Sequence, residues 1–298
     1  MPLPCTEPAQ SNLSHPETSW LESADRQKLF YRYWAGKSQL PTVVYLHGIE
    51  GHSEWFTETA SILNNTGMTI YAPDRRGAGA NSGERGHLAN YAQLLADLAL
   101  VIKRAKKNDP ESPIFLMGNC WGAKLAILAT ASFANSELAV SGLVLTSPAI
   151  KVKVDVNLWT KIAIGFSLLT RSLKRFSIPL TADMFTDNPI FLDYINSDPL
   201  RLTEATASFF FESLKLTRLA RSKAARLRVP LLLLQSGVDQ IVSVDDVRRW
   251  FDTVSSPDKT MHVFENAAHS LDFDAKRQDY VFLLSQWLKA HVARVVSS

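Results

Sequence analysis

The stretch Gly118-Asn119-Cys120-Trp121-Gly122 sets a thiol between two glycines, where an apolar run gives way to one rich in alanine and leucine. A strand-to-helix turn of this form lifts its central residue above a sheet. It needs glycines where side chains would collide, and it aims a helix N-terminus at developing negative charge. The chemistry it supports is nucleophilic attack. Alone, the pattern is moderately specific, because glycines flank many such turns for packing reasons and most lone cysteines are small core residues. Three further stretches weigh against packing alone. In "LHGIEGHSEWF", His47 and Gly48 follow an earlier apolar run, where a loop can offer a backbone N–H to an oxyanion; Ile49 is the expected donor and Trp121 the second. Asp239 in "SGVDQIVSVDD" and His269 in "ENAAHSLDFD" each follow a later apolar run. An imidazole there can move the proton while the carboxylate holds its tautomer. Asp245 and Asp246 read instead as the entry to the next helix.

The other histidines suit the proton-transfer role less well. His47 belongs to the oxyanion loop, and it is expected to line the pocket together with Glu50 and His52. His262 lies inside a strand pattern, His15 and His291 lie near the ends, and His87 is at most a pocket residue. No third ligand accompanies His47 and His52, so no metal site is expected. "GAGANSG" lacks both the Walker ending and the G-x-G-x-x-G spacing, and no cofactor is expected.

Six short aliphatic runs must position these residues: "TVVYLHG" from 42, "TIYAPD" from 69, "PIFLMGN" from 113, "GLVLTSP" from 142, "PLLLLQSG" from 230 and "TMHVFEN" from 260. They are nearly continuous in apolar character, the pattern of strands covered on both faces. Helical patterns at 90–107, 123–134, 244–254 and 275–296 alternate with them, which implies a parallel sheet with crossover helices. Residues 19–35 read as an antiparallel hairpin that starts the sheet. Residues 150–225 interrupt the alternation with helical patterns, Pro179, Pro189, Pro199 and the cluster "SFFFES", but no convincing strand. This segment is expected to form a helical cap inserted after the sixth core strand, between core segments 19–149 and 226–298. Trp159, Phe209 and Phe210, with Phe211, are candidates for its lid or pocket surface, though packing between cap helices explains them equally well. Its excess of basic side chains, such as Lys151, Lys161, Arg171 and Arg218, reads as a solvated helix surface.

With 298 residues, 46% hydrophobic and 20% charged, the chain can bury one substantial core. A net charge of +3, without basic runs interleaved with aromatics, argues against nucleic acid. Residues 1–18 carry no basic-then-apolar leader pattern and are expected to be a disordered or extended segment. The longest candidate span, "IAIGFSLL", falls well short of the roughly 20 residues a bilayer requires. Two cysteines, Cys5 and Cys120, make a structural disulfide improbable, which fits a cytoplasmic protein. A monomer or homodimer is expected, with at most weak membrane contact through the cap.

Nucleophile, acid and histidine in that chain order, each after a strand, match the α/β-hydrolase arrangement. The chain resembles the monoacylglycerol lipase, lysophospholipase and serine aminopeptidase-like group of that superfamily over roughly residues 25 to 295. The resemblance rests on H-G-x-x-x-H from His47, the "PDRRGAGANSGERGH" loop, the elbow, the cap stretches "IPLTADMFTDNP" and "SDPL", G-x-D-x-I-V around Asp239, and His269. It implies a mostly parallel central sheet flanked by helices and an acyl substrate. Two departures stand out. Ala78 and Asn81 replace the histidine and serine of the usual D-x-R-G-H-G-x-S, and Cys120 replaces serine.

Sulfur shifts the chemistry. A free thiol ionises near about 8.5, far closer to neutrality than a hydroxyl, so activation is the easier half. A tetrahedral adduct on sulfur tends to expel the thiolate, unless His269 protonates a departing alkoxide. Thioesters, lactones and activated esters are therefore favoured, and a thioester carrier is a possible acyl donor. The expectation is an acyl hydrolase working through Cys120, His269 and Asp239 on a small-molecule acyl substrate. An acyltransferase, as in polyhydroxyalkanoate synthases that use G-x-C-x-G, is one alternative; a catalytically silent binding homologue is the other.

Overall fold

The computed structural model describes residues 13–295. Strands Glu17–Glu22 (β1) and Lys28–Trp34 (β2) form the antiparallel hairpin, with Trp20 opposite Phe30. Of the segment expected to be extended or disordered, residues 1–12 lie outside the described residues, and Glu17 and Thr18 already belong to β1. The Ser14 carbonyl accepts from Trp34 Nε1 and Ser61 Oγ, which ties the extended approach to β1 onto the core.

Six strands follow where the aliphatic runs place them: Thr42–Leu46 (β3), Thr69–Pro73 (β4), Ile114–Asn119 (β5), Gly142–Thr146 (β6), and later Leu231–Ser236 (β9) and Lys259–Phe264 (β10). The order across the sheet is β1-β2-β4-β3-β5-β6-β9-β10, antiparallel as far as β4 and parallel beyond it. Because successive side chains point to opposite faces, each central strand feeds two cores. Val44, Leu116, Leu145 and Leu233 pack under helices Tyr91–Asn108 (α2), Trp121–Phe133 (α3) and Val244–Asp252 (α7). Val43, Phe115, Val144 and Leu232 pack under Thr57–Asn65 (α1) and Arg277–Val295 (α8). As the edge strand, β10 is only partly buried, unlike the continuous burial its composition suggests.

Between β6 and β9 the cap contains helices Leu158–Leu169 (α4), Pro189–Ser197 (α5) and Ala207–Ser222 (α6). It also holds a feature absent from the sequence reading: Arg175–Ser177 (β7) and Glu204–Thr206 (β8) pair as a two-stranded antiparallel ribbon. Three-residue strands are too short to leave a period-2 signature. Asn157, Asn188 and Thr206 cap the three helices by accepting from backbone N–H groups. No helix among the described residues is long and apolar enough to cross a membrane.

One contact governs how α3 meets the sheet. A Cβ built on Gly122 would lie 2.1 Å from the Leu46 carbonyl oxygen, and one on Gly118 would lie 2.5 Å from Ala123 Cα. The helix can therefore start directly above β3 and β5 only if both positions are glycine. Gly122→Ala is expected to lower stability by about 3 kcal/mol, the scale of a core overpacking defect. Denaturant unfolding at wild-type stability would show that the approach is not required.

Candidate active site

Cys120 occupies the turn from β5 to α3 at φ 50° and ψ −111°. Its N–H donates to the Thr146 carbonyl at 2.9 Å, and its own carbonyl accepts from Ala149 N at 3.0 Å. The C-terminal end of β6 and the loop after it thus hold the turn open, and the Cys120 side chain faces a cavity while remaining 4% exposed.

The loop after β3, expected to offer an oxyanion donor, is held from behind. His47 Nδ1 donates to the Gly48 carbonyl at 2.8 Å, and His47 Nε2 accepts from Arg75 N at 2.8 Å. Those two bonds fix the tautomer with its proton on Nδ1. Burial, with the positive charge of Arg75, pushes His47 down to about 3, so the ring is neutral. The Arg75 guanidinium reaches the Gly48 and Ile49 carbonyls at 3.4 and 3.0 Å. A trans peptide sets its N–H opposite its carbonyl, so anchoring the Gly48 carbonyl turns the Ile49 N–H the other way, and Ile49 lines the cavity beside Cys120. Trp121 is the first residue of α3, so its N–H has no acceptor within the helix. The Arg75 guanidinium itself lies 4.5 Å from the Trp121 ring and 5.1 Å from that of Phe209.

Asp239 is buried in the loop after β9. Its Oδ1 accepts from Ile241 N and Val242 N at 2.8 Å each, and its Oδ2 accepts from Gln235 Nε2 at 3.2 Å. The same Oδ2 accepts from His269 Nδ1 at 2.8 Å. Burial alone would raise the Asp239 pKa, but His269 and the two backbone donors outweigh it and hold the carboxyl below its ordinary range. For His269, burial favours the neutral ring, yet the charges of Asp239 and Cys120 prevail and push it up to about 10. Its Nε2 opens on a narrow pocket shared with Cys120, Gly48, Trp55 and Phe185, where the Cys120 thiol is the side chain that acts on it.

A larger cavity of about 160 Å³ lies on the other side of Cys120. Its walls are Ile49, Val152, Val154, Ile178, Leu180, Phe210 and Ile241, with Lys124 and Ser213 adding polar atoms.

The structure thus brings Cys120, His269, Asp239, Ile49 and Trp121 together, with Phe210 on the larger cavity and His47 on the smaller. Four residues expected to touch substrate do not line either pocket. Trp159 stands 79% exposed on α4. Phe209 is buried against Trp121, stacked at 5.6 Å. Glu50 Oε2 accepts from Arg201 Nε at 2.8 Å, and burial pushes its carboxyl up to about 7 despite that partner. His52 Nε2 donates to Asp198 Oδ2 at 2.9 Å, where Trp55 Nε1 also donates at 2.7 Å. Glu50 and His52 therefore fasten the cap to the core. Sequence reasoning missed Arg75, Gln235 and Lys124. Only Lys124 left a signal, a lone charge in an apolar helix start. Among the described residues no cluster of histidine, cysteine and carboxylate groups can hold a metal.

An elbow between strand and helix, with an acid and a histidine on later loops of a mostly parallel sheet, defines an α/β-hydrolase. Residues 38–276 match the family described as "Serine aminopeptidase, S33", and the chain belongs to that family. It is 29% identical to a monoglyceride lipase of Rattus norvegicus over 264 residues, covering 87% of this chain and 86% of that protein. It is 28% identical to phospholipase YtpA of Bacillus subtilis over 253 residues, covering 83% and 95% of the two chains. The fold resembles that of Paleococcus ferrophilus monoacylglycerol lipase at a TM-score of 0.79 and 22% identity, covering 88% of this chain and 99% of that one. A Saccharomyces cerevisiae monoglyceride lipase in complex with a substrate analog gives 0.81 at 19% identity, covering 93% and 95%.

His269 ties the site to pH. Its pKa stands above the ordinary 6.5, so its stabilising contribution is complete below that value and is lost as pH rises toward about 10. The stability difference between wild type and His269→Gln, measured by denaturant unfolding, is expected to shrink steadily from about pH 6 to about pH 10. A difference that stays flat would remove Asp239 as the group that holds the proton.

Proposed function

We propose that the protein is an acyl hydrolase in which Cys120 is the nucleophile, His269 the proton carrier and Asp239 the group that orients and charges His269. The observation that carries this reading is the placement of the buried His269 between the other two, its Nδ1 bound to Asp239 and its Nε2 side sharing a pocket with Cys120. Curated relatives named as a monoglyceride lipase and a phospholipase favour ester substrates.

In the first half-reaction the Cys120 thiolate adds to the acyl carbon. The carbonyl electron pair moves to oxygen, which the Ile49 and Trp121 N–H groups receive. As the bond to the leaving group breaks, His269 Nε2 supplies its proton, leaving acyl-Cys120 and neutral imidazole. Water then adds to the acyl carbon while His269 takes its proton. Collapse releases the acid, restoring thiolate and imidazolium. A histidine held protonated near neutral pH answers the difficulty of a sulfur nucleophile, since the leaving group receives a proton as it departs. This extends the substrate class from thioesters and lactones to ordinary esters with apolar acyl groups. A nucleophilic thiol operates in its reduced form, which fits a cytoplasmic setting.

The cap adds a proposed contact. Leu158, Trp159, Ile162, Phe166 and Leu169 on α4 are 55 to 85% exposed, an apolar face suited to shallow insertion at a lipid surface that holds the substrate. Replacing Trp159 and Phe166 with serine is expected to reduce co-sedimentation with phosphatidylcholine vesicles severalfold; undiminished co-sedimentation would exclude this face.

Cys120→Ala is expected to lower ester turnover by a factor on the order of 10³ or more with the fold intact. A stoichiometric acyl adduct on wild type, seen by intact mass with an acyl thioester and absent from the variant, checks the intermediate. Release of that adduct by water assigns hydrolysis, and release by an added alcohol or amine alone assigns acyl transfer. Full activity without the thiol would end the proposal.

A further inference from the structure

From Trp121 to Ala129, α3 carries a single ionisable side chain, Lys124. It stands four residues past Cys120 and lines the same cavity, where it is 6% exposed. The charges that act on it are Cys120, which favours its ammonium form, and Arg75, which opposes it; no carboxylate is among them. Asp155, in the same cavity wall, is exposed and already paired with Lys161 at 2.5 Å. Arg75 adds a second positive charge, held by the Gly48 and Ile49 carbonyls and over the Trp121 and Phe209 rings, and it brings no anion to Lys124.

A buried ammonium without a counter-ion is expensive. Burial accordingly pushes Lys124 down to about 8, which still leaves it mostly charged at neutral pH. Apart from Ser213 and the already paired Asp155, the remaining walls are apolar, so among the described residues the negative charge that reaches this cation is that of Cys120, which is lost once the sulfur is acylated, and the place where another anion can sit is the cavity itself. One helical turn, about 5.4 Å, separates Lys124 from the nucleophile along α3. An anion that meets Lys124 is therefore a few carbon–carbon bonds from a carbonyl at Cys120.

We propose that Lys124 is the counter-ion for a negatively charged group on the acyl part of the substrate. The cavity then selects acyl chains that bear a carboxylate or a similar anion a few carbons from the reacting carbonyl. This rests on reading the larger cavity as the acyl pocket. The apolar walls hold the methylene segment, and the leaving group occupies the side where His269 delivers its proton.

The test compares mono(4-nitrophenyl) esters of adipic, pimelic and suberic acid with 4-nitrophenyl hexanoate, heptanoate and octanoate, using wild type and Lys124→Met. The ratio of kcat/KM for charged over neutral esters is expected to fall by about 30-fold or more in the variant, the scale of removing one partner of a buried charge pair. An equal ratio in the two proteins overturns the proposal while leaving the hydrolase reading intact. A second measurement uses Cys120→Ala protein, which does not turn over, titrated with monomethyl suberate in a calorimeter. Binding that weakens tenfold or more when Lys124→Met is added supports the counter-ion role, and unchanged binding overturns it. Should no ester be hydrolysed, the hydrolase reading fails, and the calorimetric comparison still decides for or against Lys124.

Discussion

Cys120 stands in a backbone conformation that costs a non-glycine residue roughly 1–3 kcal/mol and persists only where its surroundings leave no alternative. Here they leave none. Its N–H and carbonyl are bound on the β6 side, and α3 presses on β3 and β5 at two glycines that admit no Cβ. What the strain yields is position. The side chain is lifted clear of the sheet, and the first N–H of α3 is left uncommitted next to it. The loops that end β3, β9 and β10 then need only reach one fixed point.

Each of those loops is braced by a different means. The β3 loop depends on a neutral histidine and a buried guanidinium that grip its carbonyls from the far side. The β9 loop wraps its own N–H groups around the Asp239 carboxylate. The β10 loop is anchored by a bond from Ser236 Oγ to the His269 carbonyl, and by Ser270 N, which donates to Phe185 in the cap. Charge runs through all three. Arg75 and Lys124 make the floor of the site electropositive.

Much of this was legible in the sequence, for identifiable reasons. Strands buried on both faces leave aliphatic runs that need no periodicity to be seen, so β3, β5, β6 and β9 could be placed closely. The candidate reactive residues stand in loops after those runs, and their types and order suffice to single out Cys120, Asp239 and His269. What escaped notice depends on pairs distant along the chain. Glu50 and His52 look like pocket residues until Arg201 and Asp198, some 150 positions away, are seen to occupy them. Trp159 and Phe209 are both aromatic residues of the cap, and no local pattern distinguishes the exposed one from the one stacked beneath Trp121. Asn81 replaces a motif serine yet still braces the loop, donating to the Asp74 and Arg75 carbonyls and accepting from Phe30 N. A motif table would score that as a loss.

The outer wall of the larger cavity comes from Val152, Val154 and Ile178 to Leu180, chain that takes no part in the eight-stranded sheet. Substitutions there alter the room offered to a substrate without touching a strand, a crossover helix or the strained turn. The shape of the cavity is thereby uncoupled from the folding problem: its outer wall can be recut through one inserted segment while the sheet, the crossover helices and the strained turn beneath it keep their packing.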